Sequence, residues 1–179
     1  MEFTTTYMDR TNAIIDIFRS TFTDSEGAAE GETIASFVTG IFATANAADV
    51  RVFSAMEDGV VAGAIIFTRM IYPDDERTVF ILSPVAVATD RQGKGLGQRL
   101  IRFGLNALLQ DGVDVALTYG DINFYSRVGF ARISEAIATP PFPLAHPEGW
   151  LGQSLTSRPL DPLRGTPTCV EALNNPGLW

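Results

Sequence analysis

The chain has 179 residues, 46% hydrophobic and 19% charged, a balance that excludes a disordered chain and predicts one domain with a sizeable core. Thirteen Lys and Arg against 21 Asp and Glu give a net charge of -8, which excludes a broad attraction to nucleic acid or to an anionic membrane. One cysteine, Cys169, and one histidine, His146, exclude an intrachain disulfide and two-histidine or cysteine-cluster metal sites.

The opening MEFTTTYMDR has no basic segment leading into an apolar core, and with no apolar run long enough to cross a bilayer the expectation is a soluble, cytoplasmic protein. Residues 14 to 22 carry Ile14, Ile15, Ile17, Phe18 and Phe22, whose spacing mostly fits one helical face, and Ile34, Phe37, Val38, Ile41 and Phe42 give the full helical stripe. Between them, TDSEGAAEGE at 23 to 32 reads as an acidic, glycine-rich loop, with attraction of a cationic amine as the alternative. From residue 50 the pattern changes to two strand-like runs joined by Glu57-Asp58-Gly59, whose Asp-Gly pair predicts a tight antiparallel hairpin. After a turn at Pro73-Asp74-Asp75-Glu76, residues 78 to 88 read as a strand buried on both faces.

Pro84 interrupts that strand. Proline donates no ladder hydrogen bond, so its place there predicts a bulge and a split in the sheet. Residues 94 to 110 predict the longest helix, with Leu96, Leu100, Phe103 and Ala107 on one stripe and Ile101, Leu105 and Leu108 beside it. The strand DVALTYG at 114 to 120 then lies parallel to the strand before the helix, as a crossover connection requires. INFYSRVGF supplies a short helix ending at Gly129. Eight of the ten prolines stand at or after residue 140, so 136 to 179 reads as an extension of turns and short strands packed on the same domain. His146 reads there as a loop residue and Cys169 as a small packed one.

The turn Gln92-Gly93-Lys94-Gly95-Leu96-Gly97 carries the chemistry. A strand that enters a helix through glycines bares backbone N–H groups at the positive end of the helix dipole, which makes an anion site. Two familiar phosphate loops fail by counting. Position 88 is Ala where a Walker A loop needs Gly, and Gln98 and Leu100 stand where a dinucleotide fingerprint needs Gly; a nucleotide-binding oxidoreductase is disfavoured with them.

The spacing Q-x-x-G-x-G after a bulged strand, inside PVAVATDRQGKGLGQRLI, together with FYSRVGF at 124 to 130, resembles the GNAT family of acyl-CoA-dependent N-acyltransferases, in its YhbS-like branch. The resemblance covers about residues 3 to 135 and implies an α+β fold in α/β/α layers, with a mixed, mostly antiparallel sheet splayed at the central bulged strand. It implies acetyl-CoA as cosubstrate, no metal, and direct transfer of the acetyl group to a primary amine of a small molecule or protein. The backbone of Gln92, Gly93, Lys94, Gly95, Leu96, Gly97 and Gln98 would hold the pyrophosphate, with Lys94 and Arg91 adding charge. Val85, Ala86 and Val87 would pair with the pantetheine arm, aided by Asn123 and Phe124, and the Val87 N–H would face the thioester oxygen. Tyr125 is the implied general acid for the leaving thiolate. Thr118 stands where many members carry asparagine. No base is assigned; Asp24, Glu26, Asp74, Asp75, Glu76 and Asp121 are the acids considered for lining an acceptor cavity. The resemblance allows a homodimer, and the alternative function is a catalytically inactive module that senses acyl-CoA.

Overall fold

A computed structural model describes residues 1–179. Its elements run β1 (Glu2–Thr4), α1 (Thr11–Glu26), α2 (Ala28–Thr44), β2 (Val50–Glu57), β3 (Val60–Met70), β4 (Val79–Val87), α3 (Leu96–Gln110), β5 (Val115–Tyr119), α4 (Ile122–Tyr125), β6 (Ala131–Arg132) and β7 (Trp150–Ser154). The sheet order is β1-β2-β3-β4-β5-β7-β6. Only β4 and β5 pair in parallel, so the sheet is mixed and mostly antiparallel in an α+β layered fold. No helix is long and apolar enough to cross a membrane.

The β2–β3 hairpin turns at Asp58 and Gly59, with φ of 50° and 81°. Those positive values are what a two-residue hairpin needs to match strand twist, and Asp-Gly supplies them cheaply. The segment 23 to 32 corrects the sequence reading. It is helical except at Gly27, because its Ala and Glu residues favour helix over loop once the two helices pack. Gly31 serves that packing: a Cβ there would meet the Thr23 Oγ1 and the Arg19 carbonyl of α1.

Three apolar clusters fill the layers. Leu96, Leu100, Ile101, Leu105 and Leu108 of α3 pack on Phe53, Ile65, Phe67 and Leu82. Gly104 lies on this face, where a Cβ would come within 3.0 Å of Ile65, Phe53 and Phe67, so the helix axis sits close to the sheet. Phe103 and Ala107 therefore flank the buried stripe instead of forming it, and Phe103 meets Phe3 and Phe53 at the layer's edge. On the opposite face, α1 and α2 cover the β2–β3 half through Ile14, Phe18, Val38 and Ile41. The C-terminal segment covers the β4–β5 half through Trp150, Leu163, Leu173 and Trp179.

Two strands of the sheet part where proline predicted it. β4 pairs with β5 from Val79↔Val115 to Leu82↔Thr118 and no further, while β4 continues to Val87 beside β3. Leu82 and Val85 stand opposite Phe67 and Ile65, so β4 carries one extra residue at Ser83-Pro84. Thr118 closes the last rung: its buried hydroxyl donates to the Leu82 carbonyl at 2.9 Å.

Candidate active site

The opening between β4 and β5 continues as a groove of about 550 Å³, lined by Val85 and Val87, the turn into α3, the last turn of α1, and Asp121, Phe124, Tyr125 and Arg127. The turn is built for open donors. Gly93 and Gly95 hold φ of 72° and 73°, a region that side chains disfavour and glycine enters freely. The amides from Gly93 through Gln98 make no hydrogen bond within the chain, whereas those of Arg91 and Gln92 are tied to the carbonyls of Ala88 and Thr89. The donor array thus starts at Gly93, one residue later than the sequence reading set it. It lies at the N-terminus of α3, whose dipole favours an anion. Gly97 is required on a second ground, since a Cβ would press on Phe124 and Val87 at 3.3 and 3.4 Å.

The open edge of β4 has a definite polarity. The Ala88 N–H donates to the Ala62 carbonyl at 2.9 Å, which fixes the antiparallel alternation. Ala86 therefore addresses β3 as well, with its side chain in the core beneath α1, while Val85 and Val87 present their N–H groups to the opening. On the same edge the Val87 carbonyl already accepts from Gln92 Nε2 at 3.0 Å and from Thr21 Oγ1 at 3.4 Å. Gln92 thus acts as a brace between strand and turn.

Tyr125 stands across the groove at the end of α4. Asp121 caps that helix by accepting from the Asn123 N–H at 2.9 Å. Gly129 ends the following turn with φ of 98°, and Phe130 then packs edge-on against Tyr125 at 5.8 Å between ring centres. A Cβ on Gly120 would fall 2.8 Å from Tyr125 Cε2, so the ring lies directly over that backbone. The Tyr-to-Gly-Phe spacing is thus a device for seating one phenol. Burial raises its pKa above the ordinary tyrosine value, and the nearby Thr118 hydroxyl offsets part of the rise. The phenol is therefore protonated at neutral pH.

Some of the residues named from sequence lie elsewhere. Lys94 is exposed outside the groove lining, with its ammonium on the Asp90 carbonyl at 3.1 Å. Arg91 does line the groove, but its guanidinium is held by Glu57 and Asp90. Asn123 is drawn to Asp121 and lines a neighbouring cleft. Asp75 and Glu76 line a cavity that also includes Asp114 and Val115, at the far ends of β4 and β5, and Asp24 accepts from the Thr89 hydroxyl. Of the acids considered, Glu26 and Asp121 reach the groove. Sequence reasoning missed Arg127, a groove-lining guanidinium with no ion-pair partner in the chain, and the α1 residues Thr21, Phe22 and Ser25. Arg127 was findable beside Tyr125; the α1 residues carry no local signal, since only tertiary packing brings them there.

The sequence model of the Acetyltransferase (GNAT) family matches residues 11–130, a span that includes the turn, the open strand and Tyr125. The chain belongs to the GNAT family. It is 34% identical over 119 residues to the uncharacterized N-acetyltransferase YjhQ of Escherichia coli strain K12, an overlap of 64% of this chain and 65% of that protein's length. The GNAT protein YhbS of Escherichia coli, solved in complex with CoA, superposes with a TM-score of 0.80 at 22% identity, over 97% of this chain and 92% of that one. A GNAT acetyltransferase from Brucella melitensis, solved with acetyl-CoA, gives 0.73 at 24% identity, over 96% of each chain. At these identities the likeness to the solved structures is one of fold. No group of three or more His, Cys, Asp or Glu side chains stands close enough together to hold a metal ion.

Proposed function

We propose that this chain transfers an acetyl group from acetyl-CoA to a primary amine by direct attack. The observation that carries the reading is the run of unpaired amides from Gly93 through Gln98 opening onto the same groove as the free edge of β4 and the Tyr125 phenol. The amides and Arg127 suit a diphosphate; the N–H groups of Val85 and Val87 suit an extended amide arm that adds to β4 as a short strand. A donor on the edge of β4 also fits the oxygen of a thioester on which charge develops. In the transfer a carbon–nitrogen bond forms, the carbon–sulfur bond breaks, the sulfur takes its proton from Tyr125, and the amine's proton leaves to solvent, from which the phenolate is reprotonated. The whole chain acts as one domain in this reading, with 136 to 179 forming the acceptor-side wall.

Calorimetry with acetyl-CoA and a thiol-release assay across an amine panel test it. Micromolar binding with amine-dependent release of CoA is expected. Absence of binding overturns the reading, and binding without release above background replaces it with the acyl-CoA sensor.

A further inference from the structure

On the side of the sheet away from α3, a further cavity of about 170 Å³ sits at the seam between α2 and the C-terminal segment. Ile34 and Phe37 of α2 form one wall, and Leu173, Leu178 and Trp179 form the other. Its floor is Ile81, Ser83 and Tyr119, the residues on either side of the point where β4 and β5 separate. Thr118, next to Tyr119, turns its hydroxyl to the Leu82 carbonyl and neighbours Tyr125. Ser83 and Tyr119 stand two positions from Val85 and Asp121 of the groove lining, so the cavity and the groove flank the same break in the sheet.

Seven of the eight lining residues are hydrophobic and none is charged. A second or third ammonium group would find no counter-charge here and would lose its hydration. An apolar body would gain by leaving water. The volume is close to that of a dry cavity of about 150 Å³ known to hold a benzene ring. Of the lining's hydroxyls, that of Tyr119 accepts from the His146 amide at 2.6 Å, which leaves Ser83, at the split, as the polar position where an amine nitrogen would stand close to the open strand.

We infer that the acceptor is a primary amine carried on one ring-sized apolar group, arylalkyl or branched alkyl, and that this group occupies the cavity between α2 and the C-terminal segment. The inference rests on the acetyl-transfer reading for the chemistry and on the cavity alone for the ligand class.

The two tryptophans of the chain make the test direct, because Trp179 lines the cavity and Trp150 packs edge-on against it at 5.9 Å. Titrating the full chain with 2-phenylethylamine should give a saturable change in fluorescence, and ethylamine and spermidine should give none at the same concentration. In the thiol-release assay 2-phenylethylamine should exceed ethylamine in kcat/KM by at least about tenfold, the scale on which a hydrophobic pocket discriminates. Ile34→Trp fills the cavity outside the acetyl-CoA groove, so it should bring that ratio toward one while leaving the acetyl-CoA dissociation constant within twofold. Phe37→Leu enlarges the cavity and should shift preference toward a bicyclic arylalkylamine, which keeps the test open if the first variant does not fold. Equal turnover of ethylamine and 2-phenylethylamine, or a ratio indifferent to both variants, overturns the inference and leaves acetyl transfer standing. Saturable fluorescence with acetyl-CoA binding but no CoA release has the reverse meaning: the ligand class holds and the transfer reading falls.

Discussion

The two ends of β4 are built on opposite principles. At Val79 to Leu82 the strand is paired on both sides, and just before it Asp75 accepts from the Arg77 side chain at 2.9 and 2.7 Å and from the Arg164 amide at 3.0 Å. Arg77 in turn donates to the carbonyls of Asp161 and Pro162, tying the C-terminal segment to the sheet. At Val85 to Val87 one side is unpaired, and the adjoining turn leaves a row of amides without partners. Donors left without a partner in the chain forgo the stabilisation that the saturated end gains. The same strand therefore anchors the fold at one end and leaves an unpaired edge at the other, with Pro84 between them. Changes at the saturated end should alter stability and spare acetyl-CoA binding; changes at the open end should do the reverse.

The largest effect is expected at the saturated end. The Arg77 hydrogen bonds hold the Asp75 carboxyl well below its usual range. Asp75→Asn should destabilise the protein by about 3 kcal/mol near neutral pH, the scale of losing one partner of a mostly buried ion pair, and leave the acetyl-CoA dissociation constant within twofold. A group whose folded pKa is depressed contributes its stability above the unfolded value and loses it as pH falls through that value toward the folded one. Denaturant melts between about pH 2 and pH 5 should therefore show the parent chain losing stability faster than the variant as acid is added. Parallel pH curves would break the assignment.

At the open end, Tyr125→Phe removes the hydroxyl and keeps the packing against Phe124 and Phe130. A fall of about 100-fold in kcat is expected, the lower range for loss of a general acid, with acetyl-CoA affinity unchanged. Because burial raises this phenol, its acid form persists beyond about pH 10, where a free tyrosine ionises. The alkaline limb of kcat due to Tyr125 should accordingly lie above that value. Gly95→Val comes next. A β-branched residue at a φ of 73° is strained by about 1 to 3 kcal/mol, and the turn would shift to relieve it. Acetyl-CoA should bind about 30-fold more weakly by calorimetry, with the melting midpoint lowered by a few degrees at most.

The contrast between the ends was unequally legible in the sequence. Pro84 in a buried strand and the glycines at 93, 95 and 97 announced the open end, because proline and glycine are where backbone requirements override side-chain pattern. The Tyr125 to Phe130 spacing was legible as a motif, and its physical reason, a ring seated over Gly120 and on Phe130, needed the structure. The saturated end was not legible. Asp74, Asp75 and Glu76 read alike as turn acids, and only the folded chain shows that residues more than eighty positions apart converge on one of them. Residues 23 to 32 misled for a related reason: Gly31 looks like a loop glycine until α1 is packed against it. Short elements such as β1 and β6 escaped notice because two or three residues carry no period.

The smallest effect separates charge from backbone within the open end itself. Arg127 lines the groove and has no acidic partner in the chain, whereas Arg91 beside it is already held by Glu57 and Asp90. If backbone amides do most of the work on the diphosphate, one exposed cation adds a long-range attraction that salt screens. Arg127→Gln should then weaken acetyl-CoA binding by about fivefold at low ionic strength, and by less than twofold near 0.5 M salt. The same substitution at Arg91 should cost more in stability than in affinity, since it leaves Glu57 unpaired. A large, salt-insensitive loss at Arg127 would move the grip from the amides of α3 to a side chain, and the contrast between the ends of β4 would then rest on the strand edge alone.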